Sequence, residues 1–287
     1  MEAVHLINSQ NALGEGPLWS IEEQALYWVD IEGKTINRYS AETKQHEILP
    51  VNAKVSVIAF REQGGFVTAG SRGFSFWAIG NTSIKPFIDP KPNLPNIRFN
   101  DGKVDRAGRF WAGTMTPDGA FSSLYRMDPS LAISEMESGI TISNGIAWSP
   151  DNKTMYYADS LRYTIYAYDF DLASGNISNR RDWIKFESSY GIPDGLTVDS
   201  EGYVWVAFYF GWKVVRFDPG GKVDTVIKLP VSAPTSCCFG GKDLTELYIT
   251  SAKIDLSEDE EAGQPLAGDI FMVKTETNGL PEPKFTG

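Results

Sequence analysis

One pattern recurs along the 287-residue chain and limits its fold more than any other feature. A small polar turn with Gly is followed by an apolar strand, a turn rich in Asp, Gly or Asn, and an aromatic-rich alternating strand. Four copies are plain: GEGPLWSIEEQALYWVD (14–30), NDGKVDRAGRFWAGT (100–114), SNGIAWSPDNKTMYYAD (143–159) and PDGLTVDSEGYVWVAF (193–208). Two weaker copies, SVIAFREQGGFVTAG (56–70) and TSCCFGGKDLTELYITS (235–251), fill the gaps. The starts at Glu15, Ser56, Asp101, Asn144, Asp194 and Ser236 recur every 40 to 50 residues or so, the length of a propeller blade of four short strands.

Further alternating strands follow within the copies, as in TINRYSAET (35–43), RYTIYAYDFDLASG (162–175) and KVVRFDPGG (213–221), which leaves no room for crossover helices. Helical periodicity over ten or more residues is absent, and 27 Gly and 16 Pro punctuate the chain at strand-and-turn intervals. The expectation is an all-β, six-bladed β-propeller forming one domain over residues 1–287, with a pair of sandwiches as the alternative. The acidic run SEDEEAG (257–263) interrupts the last copy and reads as a solvated loop; a lid over the channel mouth is the sharper alternative.

Composition removes several function classes. A net charge of −11 repels polyanions, so nucleic acid is not an expected partner. The opening MEAVHLINSQNALGEGP lacks a basic segment leading into an apolar one, and no span of about 18 apolar residues occurs, so a soluble cytoplasmic protein with no membrane partner is expected. The two cysteines are the adjacent Cys237 and Cys238, which offer neither a disulfide framework nor a CxxC site and read as reduced strand residues. The sequons at Asn81, Asn152 and Asn176 read as chance matches.

In a propeller, equivalent positions of every blade lie on one ring around the axis. The residues preceding Gly in the four plain copies are Glu15, Asp101, Asn144 and Asp194, so four oxygen-bearing side chains share one level of a central channel. Asn-Gly and Asp-Gly are also common turn pairs, which is the competing reading of each taken singly. Glu-Gly is not such a pair, and four in register favour a site. Three carboxylates and an amide form a hard oxygen site suited to calcium, magnesium or manganese, or to a substituted iron or zinc ion. The two histidines, His5 and His46, lie outside the repeats, which argues against a histidine-rich zinc site or a Ser-His-Asp triad; His46, in the polar run ETKQHE, reads as solvated. Arg98 and Asn100, within IRFNDGKVD (97–105), supply a forked donor and a mixed donor-acceptor near the same channel mouth; a surface Arg beside an Asn that only makes a turn is the equal competing reading.

With these residues assembled, GEGPLW, RFNDGKVD, AGTM, ISNGIAWS, ISNRR, IPDG and TSCCFGG resemble, in order and over nearly the whole length, the senescence marker protein (regucalcin), gluconolactonase and luciferin-regenerating enzyme family, and its regucalcin branch in particular. The resemblance implies a six-bladed propeller that hydrolyses sugar (aldono-) lactones such as gluconolactone with one divalent metal ion, of unspecified identity among Ca, Mn, Zn, Mg and Fe(II). It implies that Glu15, Asn144 and Asp194 hold the metal, that Asp194 also transfers the proton, and that Arg98 and Asn100 contact the sugar. Asp101 is not a direct ligand in that pattern and stands behind the others. Regucalcin-like members carry a longer loop after AGTM with a sugar-binding glutamate; here TPDGAFSS (116–123) is shorter and Asp118 falls at that place. The family also includes the reading of a calcium-binding regulatory protein without lactonase activity. The small-molecule lactone is the one partner implied, and no protein partner is.

Overall fold

The structure is a computed structural model that describes residues 1–91, 94, 96–120 and 122–287. Among the described residues the strands form six four-stranded antiparallel sheets. Their first strands are Gly14–Ser20, Val55–Phe60, Arg98–Val104, Ser143–Trp148, Ile192–Val198 and Pro234–Gly240. Each of these six packs against the first strand of the blade before it and of the blade after it, and the last returns to the first, so they line a closed ring about one axis. The propeller expected from the repeat is the observed fold, and the two weak copies are blades two and six.

The ring closes where the repeat is silent. Blade six takes Pro234–Gly240, Glu246–Ser251 and Ile270–Lys274 from the end of the chain and Val4–Ile7 from its beginning, with Val4 opposite Met272 and His5 opposite Phe271. His5 also meets the buried Asp269 carboxylate at 2.8 Å. Pairing the two ends in one sheet removes the seam at which a linear array of blades would expose unpaired strand edges.

Aromatic and branched side chains of the alternating strands fill the wedges between neighbouring blades. One buried cluster joins Trp205 and Val214 of blade five, Cys238 and Phe271 of blade six, and Trp19 and Trp28 of blade one. Burial raises the thiol pKa of both cysteines, Cys237 up to about 12, which fits their place in a strand of that core. His46 is half-buried, not fully solvated as its polar neighbours suggest: it stacks on Trp28 at 4.9 Å between ring centroids, hydrogen-bonds Asn37 Oδ1 at 3.0 Å, and its pKa is lowered by burial. The acidic run is not a loop either. Residues Glu258–Gly263 form a short exposed helix, because Ser257 and Glu260 make a reciprocal capping box and four carboxylates sit in its first turn.

Turns between the first and second strands are held by buried aspartates. In VDSEGYVW (198–205), Asp199 Oδ1 accepts from the amides of Glu201 and Tyr203 at 3.0 and 2.9 Å, while Oδ2 accepts from Trp205 Nε1 and Arg216 Nε, both at 2.9 Å. Asp105 in VDRAGRFW (104–111) makes the same set with Ala107, Arg109 and Trp111. Replacing Asp199 by Ala leaves the buried Trp205 indole N–H and Arg216 Nε without that acceptor, although Arg216 keeps Glu201 and Asp224, so urea unfolding is expected to report a loss of about 2–4 kcal/mol. A loss below about 1 kcal/mol would show that the network is dispensable.

Candidate active site

All six first strands break register at the same level. The irregularities fall between Glu15 and Leu18, Val55 and Val57, Phe99 and Gly102, Ser143 and Ile146, Pro193 and Leu196, and Pro234 and Ser236. A bulge of this kind releases a residue from strict alternation and re-aims its side chain. The polar residues before Gly are therefore parts of bulged strands at the axis, not turn residues as their dipeptides suggest. The glycines serve close packing: Gly145 and Gly195 have no positive φ, yet a Cβ on Gly145 would sit 2.6 Å from the Asp194 carbonyl oxygen and one on Gly195 would overlap Ser236 Oγ.

Glu15, Asn144 and Asp194 are buried side by side at this level, with Asp101 partly buried among them. Burial, then the charge of Asp101, raises the Glu15 pKa to about 8 against the pull of the Gly16 amide and Arg98. Burial raises Asp101 to about 6, and burial together with the charges of Glu15 and Asp101 holds Asp194 well above the usual carboxylate range. Three acids crowded out of water thus repel one another when ionised. Each of two is tied at one oxygen to the amide that follows it, Glu15 Oε2 to Gly16 at 2.9 Å and Asp101 Oδ1 to Gly102 at 2.6 Å.

Asn144 is oriented by a residue that no sequence signal marks. Its Nδ2 donates to Ser160 Oγ at 3.1 Å, and Ser160 Oγ donates to the Pro193 carbonyl at 2.8 Å, linking blade four to blade five beside Asp194. Asn144 Oδ1 and Asp194 Oδ1 are buried without any hydrogen-bond partner among the described residues. Buried acceptors left unpaired cost about 1–3 kcal/mol each unless something electropositive meets them. Two unpaired oxygens on adjacent blades, within a cluster of mutually repelling carboxylates, fit a divalent cation. Among the described residues no group of three or more His, Cys, Asp or Glu side chains is placed to hold a metal ion by itself.

Arg98 and Asn100 converge on the same level. Asn100 Nδ2 donates to the Ser143 carbonyl at 2.8 Å and its Oδ1 accepts from Arg98 Nη1 at 2.6 Å. Arg98 Nη1 also reaches the Phe99 carbonyl at 3.0 Å and Ser56 Oγ at 3.3 Å, while its Nε and Nη2 have no protein acceptor among the described residues. Asp118 lies apart. It is exposed in the turn after Phe110–Met115, with Oδ1 turned back to the Ala120 amide at 3.2 Å, although the neighbouring Met115 and Pro117 line a cavity that Arg98 shares. That cavity, of about 530 Å³, lies over blades one to three and was not foreseen from the repeat.

At the opposite end the channel is closed. Lys103 pairs with Glu282 at 3.1 Å, and the chain beyond residue 278 crosses this face, with Ser200 N bonded to the Asn278 carbonyl and Phe285 N to the Phe60 carbonyl. Only a void of about 40 Å³ remains between this closure and the ring of polar residues. Access to the ring is therefore from the side of the Arg98 cavity.

Comparison with known proteins places this geometry. Residues 13–253 match the SMP-30/Gluconolactonase/LRE-like region. Regucalcin of Danio rerio is 41% identical over 290 aligned residues, covering 98% of this chain and 97% of that protein. A luciferin-regenerating enzyme structure superposes with a TM-score of 0.91 at 31% identity, covering 99% of each chain. Regucalcin from Agrobacterium tumefaciens, described as a calcium-binding protein, superposes with a TM-score of 0.93 at 24% identity, over 98% of this chain and 96% of that one. By the extent of the family match and the identity over almost its full length, the chain belongs to the SMP-30/gluconolactonase/LRE-like family.

Proposed function

We propose that this protein hydrolyses sugar lactones to the corresponding aldonic acids, using one divalent cation held by Glu15, Asn144 and Asp194. The observation that carries the reading is the pair of buried, unpartnered oxygens, Asn144 Oδ1 and Asp194 Oδ1, inside the carboxylate cluster. Family membership supports a lactonase-type reaction, and the oxygen donors of Glu15, Asn144 and Asp194 suit a hard divalent ion.

A bound divalent ion supplies Lewis acidity toward an ester carbonyl and offsets the negative charge that develops on its oxygen. The protein's own groups do the rest. Arg98, through Nε and Nη2, and Asn100, fixed from two sides, hold the sugar hydroxyls and set the ring against the polar level of the channel. Asp194 accepts a proton from the attacking water as the new C–O bond forms, then returns it to the ring oxygen as the ester C–O bond breaks, leaving the open-chain hydroxy acid. Closure of the channel beyond Lys103 limits competing water to the substrate side. Asp118, one residue from the cavity wall, would reach substrate only by releasing the Ala120 amide.

The decisive experiment measures proton release from a panel of five- and six-membered sugar lactones by chelated protein, alone and with calcium, manganese, zinc, magnesium or iron(II). Turnover restored by a metal is expected. Tight calcium binding with no hydrolysis of any lactone would instead favour a calcium-binding regulatory protein. The same titration predicts a thermal shift: at a hundredfold excess over Kd, an ion bound only by the folded state adds about 2.7 kcal/mol, or roughly 4–5 °C in Tm for a chain of this size. A Tm indifferent to every ion tested would remove the metal from the reading.

A further inference from the structure

The 530 Å³ cavity over blades one to three, which reaches the polar level through Arg98, is cationic in a chain that is otherwise acidic. Of its twelve lining residues, Lys34, Lys54, Arg72 and Arg98 are basic and Glu32 alone is acidic, whereas in the whole chain acids outnumber Lys and Arg by 37 to 26. Lys54 is neutralised by Glu32, with Nζ 2.7 Å from Oε1. Lys34 and Arg72 have no ion-pair partner among the described residues. Both are exposed, on turns of adjacent blades. Lys34, in the left-handed backbone region, ends the turn before Thr35–Ser40, and Arg72 is the second residue of a two-residue turn between the paired Gly70 and Gly73. Arg98 forms the floor, where it meets Ser56 and Asn100 of the polar level.

We propose that the substrate is a lactone with a second, anionic group remote from the ester, a carboxylate or a phosphate, which Lys34 and Arg72 receive at the cavity rim. The inference rests on the lactonase reading and narrows its substrate. With the ester over the ring and Arg98 beside it, a substituent directed outward along the cavity meets the two unpaired cations of blades one and two. A concave cationic site in a protein of net charge −11 is a local reversal of field, and such a field raises the concentration of an anion at the mouth while the remaining surface repels it. Neutral sugar lactones need no such reversal. The volume lies within the range of roughly 300–1,000 Å³ typical of small-molecule sites and has room for the added group.

The test compares kcat/KM of the metal-loaded full chain for three lactones of one ring size: a neutral aldonolactone, an aldarate monolactone, and an aldonolactone phosphorylated at its terminal hydroxyl. At low ionic strength at least one charged lactone is expected to exceed the neutral one by about tenfold, an advantage that shrinks as sodium chloride is added. Arg72→Gln and Lys34→Gln should each lower the charged-to-neutral ratio about fivefold, through KM. The better charged substrate identifies the group as carboxylate or phosphate. Preference for the neutral lactone, or a ratio unmoved by both substitutions, overturns the inference and leaves lactone hydrolysis standing. If no lactone is turned over, the lactonase reading falls, and calorimetric titration with the open-chain aldarate and phosphorylated aldonate decides the cavity separately. Binding that weakens in Arg72→Gln supports an anion site; no binding by the unaltered protein overturns it.

Discussion

Asp194→Ala, supplied with metal, is expected to lose lactone turnover by about a thousandfold or more, since in the proposed reaction one substitution removes both a donor oxygen and the group that moves the proton. Asp194→Asn separates the two roles. An amide at this position keeps an oxygen for the cation but cannot accept a proton, so metal content should be largely retained while kcat falls by about 10²- to 10⁴-fold. The same substitution should stabilise the chelated protein. Burial and the neighbouring charges of Glu15 and Asp101 oppose ionisation of Asp194, and a neutral side chain relieves that repulsion. A rise in Tm of about 2 °C, the equivalent of roughly 1 kcal/mol in a chain of this size, is expected without metal. Opposite signs for activity and metal-free stability are a signature that a merely structural aspartate would not give. Asp194→Ala protein that binds metal and still turns over lactone would end the assignment of Asp194 as proton carrier.

Gly145→Ala should damage the site without touching a ligand. Its Cβ would press on the carbonyl oxygen of Asp194 and on the backbone nitrogen of Leu196, so the first strand of blade five has to move outward. Overpacking against backbone costs about 1–3 kcal/mol and here also displaces Asp194 from Asn144, which precedes the substituted residue. Metal affinity is expected to fall about tenfold or more along with Tm, because donor oxygens held by two different blades lose their spacing. Gly263→Ala is the control. That glycine ends the exposed helix Glu258–Gly263, has no atom within 4 Å of an added Cβ and does not lie at positive φ, so its replacement should leave both quantities unchanged. Equal effects at the two positions would show that the contact between blades four and five does not set the site.

The architecture was legible in the sequence because propeller blades repeat, and a repeat converts a local pattern into a global shape. Six starts at blade spacing correspond to six sheets, and the shared offset of Glu15, Asp101, Asn144 and Asp194 puts them at one level of a repeating fold. Their local meaning was less legible. Asn-Gly and Asp-Gly look like turns because a dipeptide records only backbone preference, whereas the bulges at these positions exist because neighbouring strands meet at an axis. His46 looked solvated for a similar reason: its sequence neighbours are polar, but its spatial neighbour is Trp28.

By itself, then, the sequence determined the class of fold, the number of blades and the oxygen-rich character of the channel, since all three follow from periodic spacing and residue type. Only the tertiary structure decided that Val4–Ile7 closes blade six, that Ser160 orients Asn144, that Lys103 and Glu282 shut one end, and that Lys34 and Arg72 meet at the rim of one cavity. Each of these joins residues of different blades or opposite ends of the chain. Such contacts depend on how the blades stack around the axis, and no period along the chain encodes them.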